Sequence, residues 1–393
     1  MIPEIRKNFN ASFQQDRYEA LLKELNTSFE YPLDFRVSET PLFLSAGLTE
    51  KLVQASNNIL GQLTTREFAE HSSNAVPSNW IVPLEDAHPA FLQLDFAICQ
   101  NNSGEFVPQI IELQGFPSLY CFQAALDQAT RHHYEIPSNF TPYFDGLDFS
   151  SYLKLLKDFI TGESSPENVV LLEIDPEKQK TRIDFGCTES MLGIRTVNLS
   201  TIVKRKRKLY YEKNGVAIPI DRIYNRVIFD ELERKQPVTG FRFTDEVDVH
   251  WVGHPNWYFK ISKHTLPFLK GEHVPPCFFL GDIKEYPADL ENYVLKPLFS
   301  FAGLGVEVDV TREKLKTLRN KGQYILQKKV TYAPLIATPD GYSKAEIRMM
   351  FIWDDRPRLV YNLVRLSKGA MMGVAFNRDK TWVGSSLAYH PAN

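Results

Sequence analysis

The sequence predicts an α/β protein. Apolar runs with strand character, bounded by Asn-Gly or glycine-rich turns, recur along the chain, and stretches with apolar residues at helical spacing lie between them. One run, Val169 to Ile174, is broken only by Glu173, the pattern of a strand buried on both faces of a parallel sheet. The 393 residues leave room for roughly two or three domains.

The helical spacing comes first. Tyr18, Leu21, Leu22 and Leu25 form one apolar stripe, and Leu52, Ile59 and Leu63 a second. After a Ser-, Asn- and Pro-rich loop, Phe91 to Ile98 reads as a strand, Asn101-Asn102-Ser103-Gly104 as a turn, and Val107 to Leu113 as the returning strand. Helical segments follow at Leu119 to Arg131 and between Pro142 and Glu163, then a linker at Gly162 to Pro166. Val169 to Ile174, a helix around Glu189 to Leu192 and a strand at Thr196 to Leu199 suggest a small βαβ unit. Tyr210 to Ile218, with Asn214-Gly215 in its middle, reads as a hairpin and Arg222 to Ile228 as a core strand. From Trp251 the pattern turns to helix, then to strands with glycine turns as far as Gly384.

Composition narrows the classes. Hydrophobic residues make up 43% and charged residues 24%, ordinary for a soluble globular protein with a sizeable core. A formal net charge of -3 gives no global reason to expect a nucleic-acid or membrane partner. The basic run Lys204 to Lys208 reads as a solvated strand or loop edge. Cys99, Cys121, Cys187 and Cys277 are scattered without CxxC spacing, as expected of reduced thiols in a cytoplasmic protein. The N-terminus lacks the apolar run of a signal peptide, and no apolar stretch approaches membrane-spanning length. No GxSxG elbow, HExxH helix or cysteine-nucleophile motif occurs, and His132-His133, without spaced acids or cysteines, reads as surface.

Two stretches carry chemistry. Tyr293 to Val308 reads as a short strand ending in Lys296, a loop holding Gly303 and Gly305, and a second alternating strand. Glycines let backbone N–H groups approach a ligand closely, and such donors beside a lysine suit a polyphosphate. The spacing is neither a Walker loop nor GxGxxG; a plain glycine-turned hairpin fits it too. On the 91–114 hairpin, alternation points Glu112 and Gln114 the same way, and Asp95 can join them from the paired strand. Two carboxylates and an amide oxygen are hard ligands suited to Mg²⁺ bridging phosphates; solvent-facing acids on an amphipathic hairpin are the alternative. Glu112 lies between Ile111 and Leu113, where an unpaired carboxylate is costly. Further on, Glu346 and Arg348 share a strand face. An arginine there can clamp a phosphate or carboxylate, or pair with Glu346 or Asp95.

The run Leu94-Asp95-Phe96 with Ile111-Glu112-Leu113-Gln114-Gly115-Phe116-Pro117-Ser118 resembles the metal-binding hairpin of the glutathionylspermidine synthetase and eukaryotic glutathione synthetase families. The Tyr293 to Val308 stretch resembles their glycine-rich phosphate cover. The resemblance implies a circularly permuted ATP-grasp fold in three parts. These are a helical segment plus metal hairpin (1–165), an inserted α/β substrate-binding domain (166–250) and a nucleotide-binding half (251–393). It implies that Asp95, Glu112 and Gln114 hold Mg²⁺ and that Lys296, Gly303 and Gly305 meet the ATP phosphates. A further ATP lysine is implied in Trp257 to Pro267, with Lys263 favoured over Lys260. Gln327 is placed to read adenine, and Arg348 and Arg365 to face an acyl phosphate. Near the end of the insert, Tyr224 and Arg226 would face the acceptor, and Gly369 to Gly373 with Asn377 would lie near substrate. Gln114 stands where the families carry Asn, and Gln93 where the synthetase carries an arginine that contacts the transferring phosphate. The implied activity is an ATP- and Mg²⁺-dependent carboxylate–amine ligase acting through an acyl phosphate on a small acid and amine. A nucleotide-binding module without ligase chemistry is the alternative that Gln93 raises.

Overall fold

A computed structural model describes residues 1–300, 303–369, 372, 377 and 379–392. Among the helices that precede the long strands are α1 (Gln15–Ser28) and α2 (Ala46–Leu63). Ser45 caps α2 by accepting from the Leu48 N–H, and the Leu48, Leu52, Ala55 and Ile59 stripe is buried. Strands β1 (Phe91–Gln100) and β2 (Phe106–Gln114) then form the expected hairpin. Its turn is held by the Asn101 carboxamide, which accepts from the N–H groups of Ser103 and Glu105, and Gly104 takes a φ of +84°.

Helix α3 (Tyr120–His133) follows, then β3 (Val169–Glu173), α4 (Arg182–Leu192), β4 (Arg195–Asn198), β5 (Arg222–Asn225) and β6 (His250–Val252). Strands β3 to β6 form one parallel sheet in the order β6-β5-β3-β4. Every residue of β3 is buried, as its apolar run requires. The three-stranded meander 203–220 is built on the Asn214-Gly215 turn, where both residues have positive φ.

Beyond residue 252 come β7 (Cys277–Phe279), β8 (Tyr293–Pro297), β9 (Tyr324–Lys328), β10 (Gly341–Trp353), β11 (Pro357–Ser367) and β12 (Gly384–Ser386). Strands β7, β9 and β8 make a small antiparallel sheet with β9 in the middle. The largest sheet joins residues 91–114 to residues 336–386 in the order β12-β11-β10-β1-β2, all antiparallel, with the short strand Ile336–Thr338 paired to β10.

Alternation sorts this sheet. Leu92, Leu94, Phe96, Ile347 and Met349 share a core with α2. Phe91, Met350 and Ile352 point the other way and pack with Tyr120 at the start of α3. Further along that second face the apolar residues give way to Gln93, Asp95, Glu346 and Arg348, each under 8% exposed. Among the described residues, no helix is long and apolar enough to cross a membrane.

Three local expectations need correction. The stretch Val306 to Val308 is no strand: its pairing is a single bridge between Glu307 and Leu295, made on the edge of β8 that β9 leaves open. The strand at Arg222 ends at Asn225, where the Asn225 side chain turns back to accept from the Val227 N–H. The helical pattern after Trp251 amounts to one turn, Trp257–Lys260, and a 3-10 segment, Lys263–Phe268, since Ser262 and Pro267 interrupt it.

Candidate functional site

The polar patch is assembled by strand register. Asp95 lies opposite Glu112 on β2 and opposite Arg348 on β10, while Glu346 lies opposite Arg365 on β11. A bulge after Asp95 makes Ile111 the extra residue of β2, yet Glu112 and Gln114 stay on the face of Asp95 and Gln93.

Arg348 grips Asp95 with a bidentate fork, Nε to Oδ1 at 2.5 Å and Nη2 to Oδ2 at 2.7 Å. Its third nitrogen donates to Gln93 Oε1 at 2.8 Å. Arg365 donates to Asp95 Oδ2 at 2.7 Å and also pairs with Glu346. Burial raises the Glu346 pKa; the Arg365 guanidinium opposes the rise and the Asp95 charge adds to it. Tyr332 closes this side, its hydroxyl donating to Glu346 Oε2 at 3.2 Å.

Glu112 has different partners. Lys263 comes down from the 3-10 segment to within 2.9 Å of Glu112 Oε1, and Lys296 on β8 donates to the Ile111 carbonyl at 2.9 Å. Burial pushes the Glu112 carboxyl up, but Lys263, Lys296 and Arg365 together outweigh it and hold the carboxyl at about 2. Burial lowers Lys296, with the neighbouring Glu112 charge working against that fall. Four cations, Lys263, Lys296, Arg348 and Arg365, thus surround three carboxylates, Asp95, Glu112 and Glu346, on one patch.

The structure brings Lys263, and not Lys260, to this patch. Lys260 turns outward, pairs with Glu85 and lies over the Trp257 ring. Gln93, where the resembled synthetase has arginine, fits a local need: its carboxamide oxygen accepts from both Arg348 and Gln114, and its nitrogen donates to the Ser118 carbonyl. Gln327 is on the central strand β9, not at an edge; it is buried and its side chain donates to the Ile110 carbonyl at 3.4 Å. Tyr224 and Arg226 are engaged inside the protein: Tyr224 packs on Phe91, and buried Arg226 donates to the Pro117 carbonyl. Asn377 accepts from Ser367 and from the Lys368 and Gly369 N–H groups, while Ala370, Met371 and Gly373 lie outside the described residues. The basic run is matched by acids, Lys204 by Asp245 and Arg207 by Glu246 and Asp248.

The limb entering the glycine loop lies directly over Glu112. The Tyr258 hydroxyl donates to the Phe299 carbonyl, Lys263 donates to the Ser300 carbonyl, and the Phe299 ring meets Phe259 edge-on at 5.1 Å. Beneath it remains a cavity of about 20 Å³ lined by Glu112, Gln114, Lys263 and Ser300, room for a water. Gly303 and Gly305 take φ of +75° and +71°, and a Cβ on Gly305 would stand 3.0 Å from the Pro297 ring. Phe301 and Ala302 between limb and glycines lie outside the described residues. Tyr258, Ser300 and Tyr332 escape sequence reasoning: Tyr258 works through a main-chain carbonyl, and the other two only by spatial position. Glu346 is visible through its alternation with Arg348.

The chain is similar along almost its whole length to the apo structure of a glutathione synthetase-like effector from Globodera pallida. The TM-score is 0.57 at 12% identity, over 97% of this chain and 98% of that one. The likeness shows a shared fold, of the glutathione synthetase-like kind. No protein-family model and no curated protein matches the chain.

Proposed function

We propose that the protein is an ATP-grasp, ATP- and Mg²⁺-dependent carboxylate–amine ligase acting on a small acid and a small amine. The observation that carries this reading is the surplus of cations on the β1-β2-β10-β11 face, directly beneath the limb of a glycine loop. A patch with more lysine and arginine than carboxylate suits an anionic ligand and repels a bare dication, so the metal would arrive with the nucleotide.

The donors present fit part of the implied metal set. Glu112 and Gln114 line the cavity and would hold magnesium, whereas Asp95, 1% exposed and paired to two arginines, is closed to it in this arrangement. When bound, Mg·ATP supplies the phosphoryl group that activates the acid. Lys263 and Lys296 would offset phosphate charge, and Arg365, whose side chain is 36% exposed, would orient the acid. The present cavity is far below the roughly 300–1,000 Å³ of a nucleotide pocket. Binding would therefore lift the Leu298–Ser300 limb off Tyr258 and Lys263 and reclose it over the phosphates.

The commitment of Asp95 to two arginines favours a second reading, a nucleotide-binding module without ligase chemistry. Thermal melts with ATP, ADP and GTP, with and without Mg²⁺, on wild type and Glu112→Ala test the site. ATP with Mg²⁺ at a hundred times its Kd should add roughly 2.7 kcal/mol, Mg²⁺ alone nothing, and the variant should lose most of the gain. No shift with any nucleotide, or an undiminished shift in Glu112→Ala, overturns the proposal. ADP release that requires a carboxylate then separates the ligase from the binding module.

A further inference from the structure

The adjacent histidines at the end of α3 acquire in the fold the acid they lack in sequence. His132 Nδ1 and His133 Nε2 each lie 2.8 Å from the same oxygen, Oε2 of Glu24 on α1. Successive helical side chains point about 100° apart, so two neighbouring imidazoles do not ordinarily meet at one point. They meet here because His132 uses its near ring nitrogen and His133 its far one. We infer that Glu24, His132 and His133 form a binding site for Zn²⁺ or a first-row transition cation of similar preference.

The surroundings of the trio point that way. Two imidazole nitrogens and a carboxylate oxygen are a donor set that suits zinc over magnesium or calcium. The three donor atoms fall within 4.8 Å of one another. A tetrahedral zinc, with ligands at about 2.0–2.2 Å, sets its donors roughly 3.4 Å apart, so the two 2.8 Å nitrogen–oxygen contacts have to open by roughly half an ångström. His132, with its side chain 71% exposed, is free to make that adjustment, while His133 and Glu24, at 16% and 32%, provide a firmer base. The site also caps the C-terminal end of α3, where the helix dipole favours positive charge. The exposed side leaves room for a water as fourth ligand. The alternative use of the trio, two ordinary histidine–glutamate hydrogen bonds, needs a proton on each contacting nitrogen; the metal would take the place of both.

The site ties α1 to α3 across 108 residues, so occupancy should stabilise the folded chain. The test is titration of the chelator-treated full chain with Zn²⁺ by calorimetry, with melting temperature and the absorption of a Co²⁺ adduct as further readouts. Wild type should bind a single Zn²⁺ and melt higher with it. Glu24→Gln and His132→Ala should each weaken binding by roughly tenfold or more and abolish the gain. His132→Ala alters an exposed ring, so it carries the test even if Glu24→Gln folds poorly. Wild type that binds no Zn²⁺, or variants that bind it as tightly as wild type, would overturn the assignment. Neither variant touches the patch around Glu112, so this result is independent of the response to ATP.

Discussion

Replacing Asp95 with alanine is the sharpest test of the buried charge cluster. The carboxylate is 1% exposed and satisfies the whole fork of Arg348, whose side chain is 8% exposed. Without it, Arg365 keeps Glu346, but Arg348 keeps only the Gln93 oxygen. Breaking a buried ion pair by removing one partner costs about 3–5 kcal/mol, because the other charge is left uncompensated. Unfolding 393 residues at roughly 2.1 cal/mol/K per residue carries an entropy of about 0.8 kcal/mol/K. The expected fall in Tm is therefore about 4–6 °C. Urea denaturation at neutral pH, extrapolated to zero denaturant, gives the loss directly. The double variant Asp95→Ala with Arg348→Met should recover much of it, since an apolar replacement of the whole pair leaves no stranded charge. A loss below about 1 kcal/mol in the single variant would refute the reasoning, and so would a double variant as unstable as the two losses added.

Three further outcomes follow from the same neighbourhood. Glu112 is held down to about 2 from an ordinary 4.5, so its stabilising contribution is complete above about pH 5 and disappears as pH falls through about 2. The stability gap between wild type and Glu112→Gln, followed by urea unfolding at several pH values, should be flat above pH 5 and shrink in acid; a gap that grows in acid contradicts the ion pairing. Gln93→Arg would bury a second guanidinium beside Arg348 at a fully buried position and should cost about 3–5 kcal/mol in the same assay; a stable variant would mean that the patch opens to solvent. Gly115→Ala would set a Cβ 2.6 Å from the Trp257 carbonyl and 2.8 Å from Ile261 Cβ, next to Gln114. A loss of about 1–3 kcal/mol is expected in chemical denaturation, and an unchanged midpoint would show that the Trp257–Ile261 segment does not press on β2 as described.

Much of the scaffold is legible in the residues. The 91–114 hairpin announces itself through alternation and its Asn-rich turn, and β3 through an apolar run broken only by Glu173, because these signals are local. The same alternation indicates which side chains share the face of Asp95. What opposes that face is not local. Lys263 reaches Glu112 from a short 3-10 turn with no periodic signature, and Arg348 reaches Asp95 from 253 residues away. Whether Asp95 pairs with arginine or stays open to a metal depends on that register, and residue type alone allows both. The second strand expected after Gly305 is reduced to one residue. Alternation in Val306-Glu307-Val308 is real, but on the open edge of β8 only Glu307 pairs, with Leu295. His132-His133 reads as surface, and His132 is indeed exposed; the acid both rings meet lies on another helix, beyond the reach of local spacing.

The largest sheet also sets a schedule for the newborn chain. Its β1-β2 hairpin leaves the ribosome early, but β10, which flanks β1, begins only at Gly341. At synthesis rates of about 5–20 residues per second, the 253 residues between Asp95 and Arg348 take roughly 13–50 s to appear. Throughout that interval β1 is an unpaired edge carrying Leu92, Leu94 and Phe96 on one side and an uncompensated aspartate on the other. The sheet is thus closed at its centre only once β10 has been made, and until then the open edge of β1 is a template for pairing with other chains.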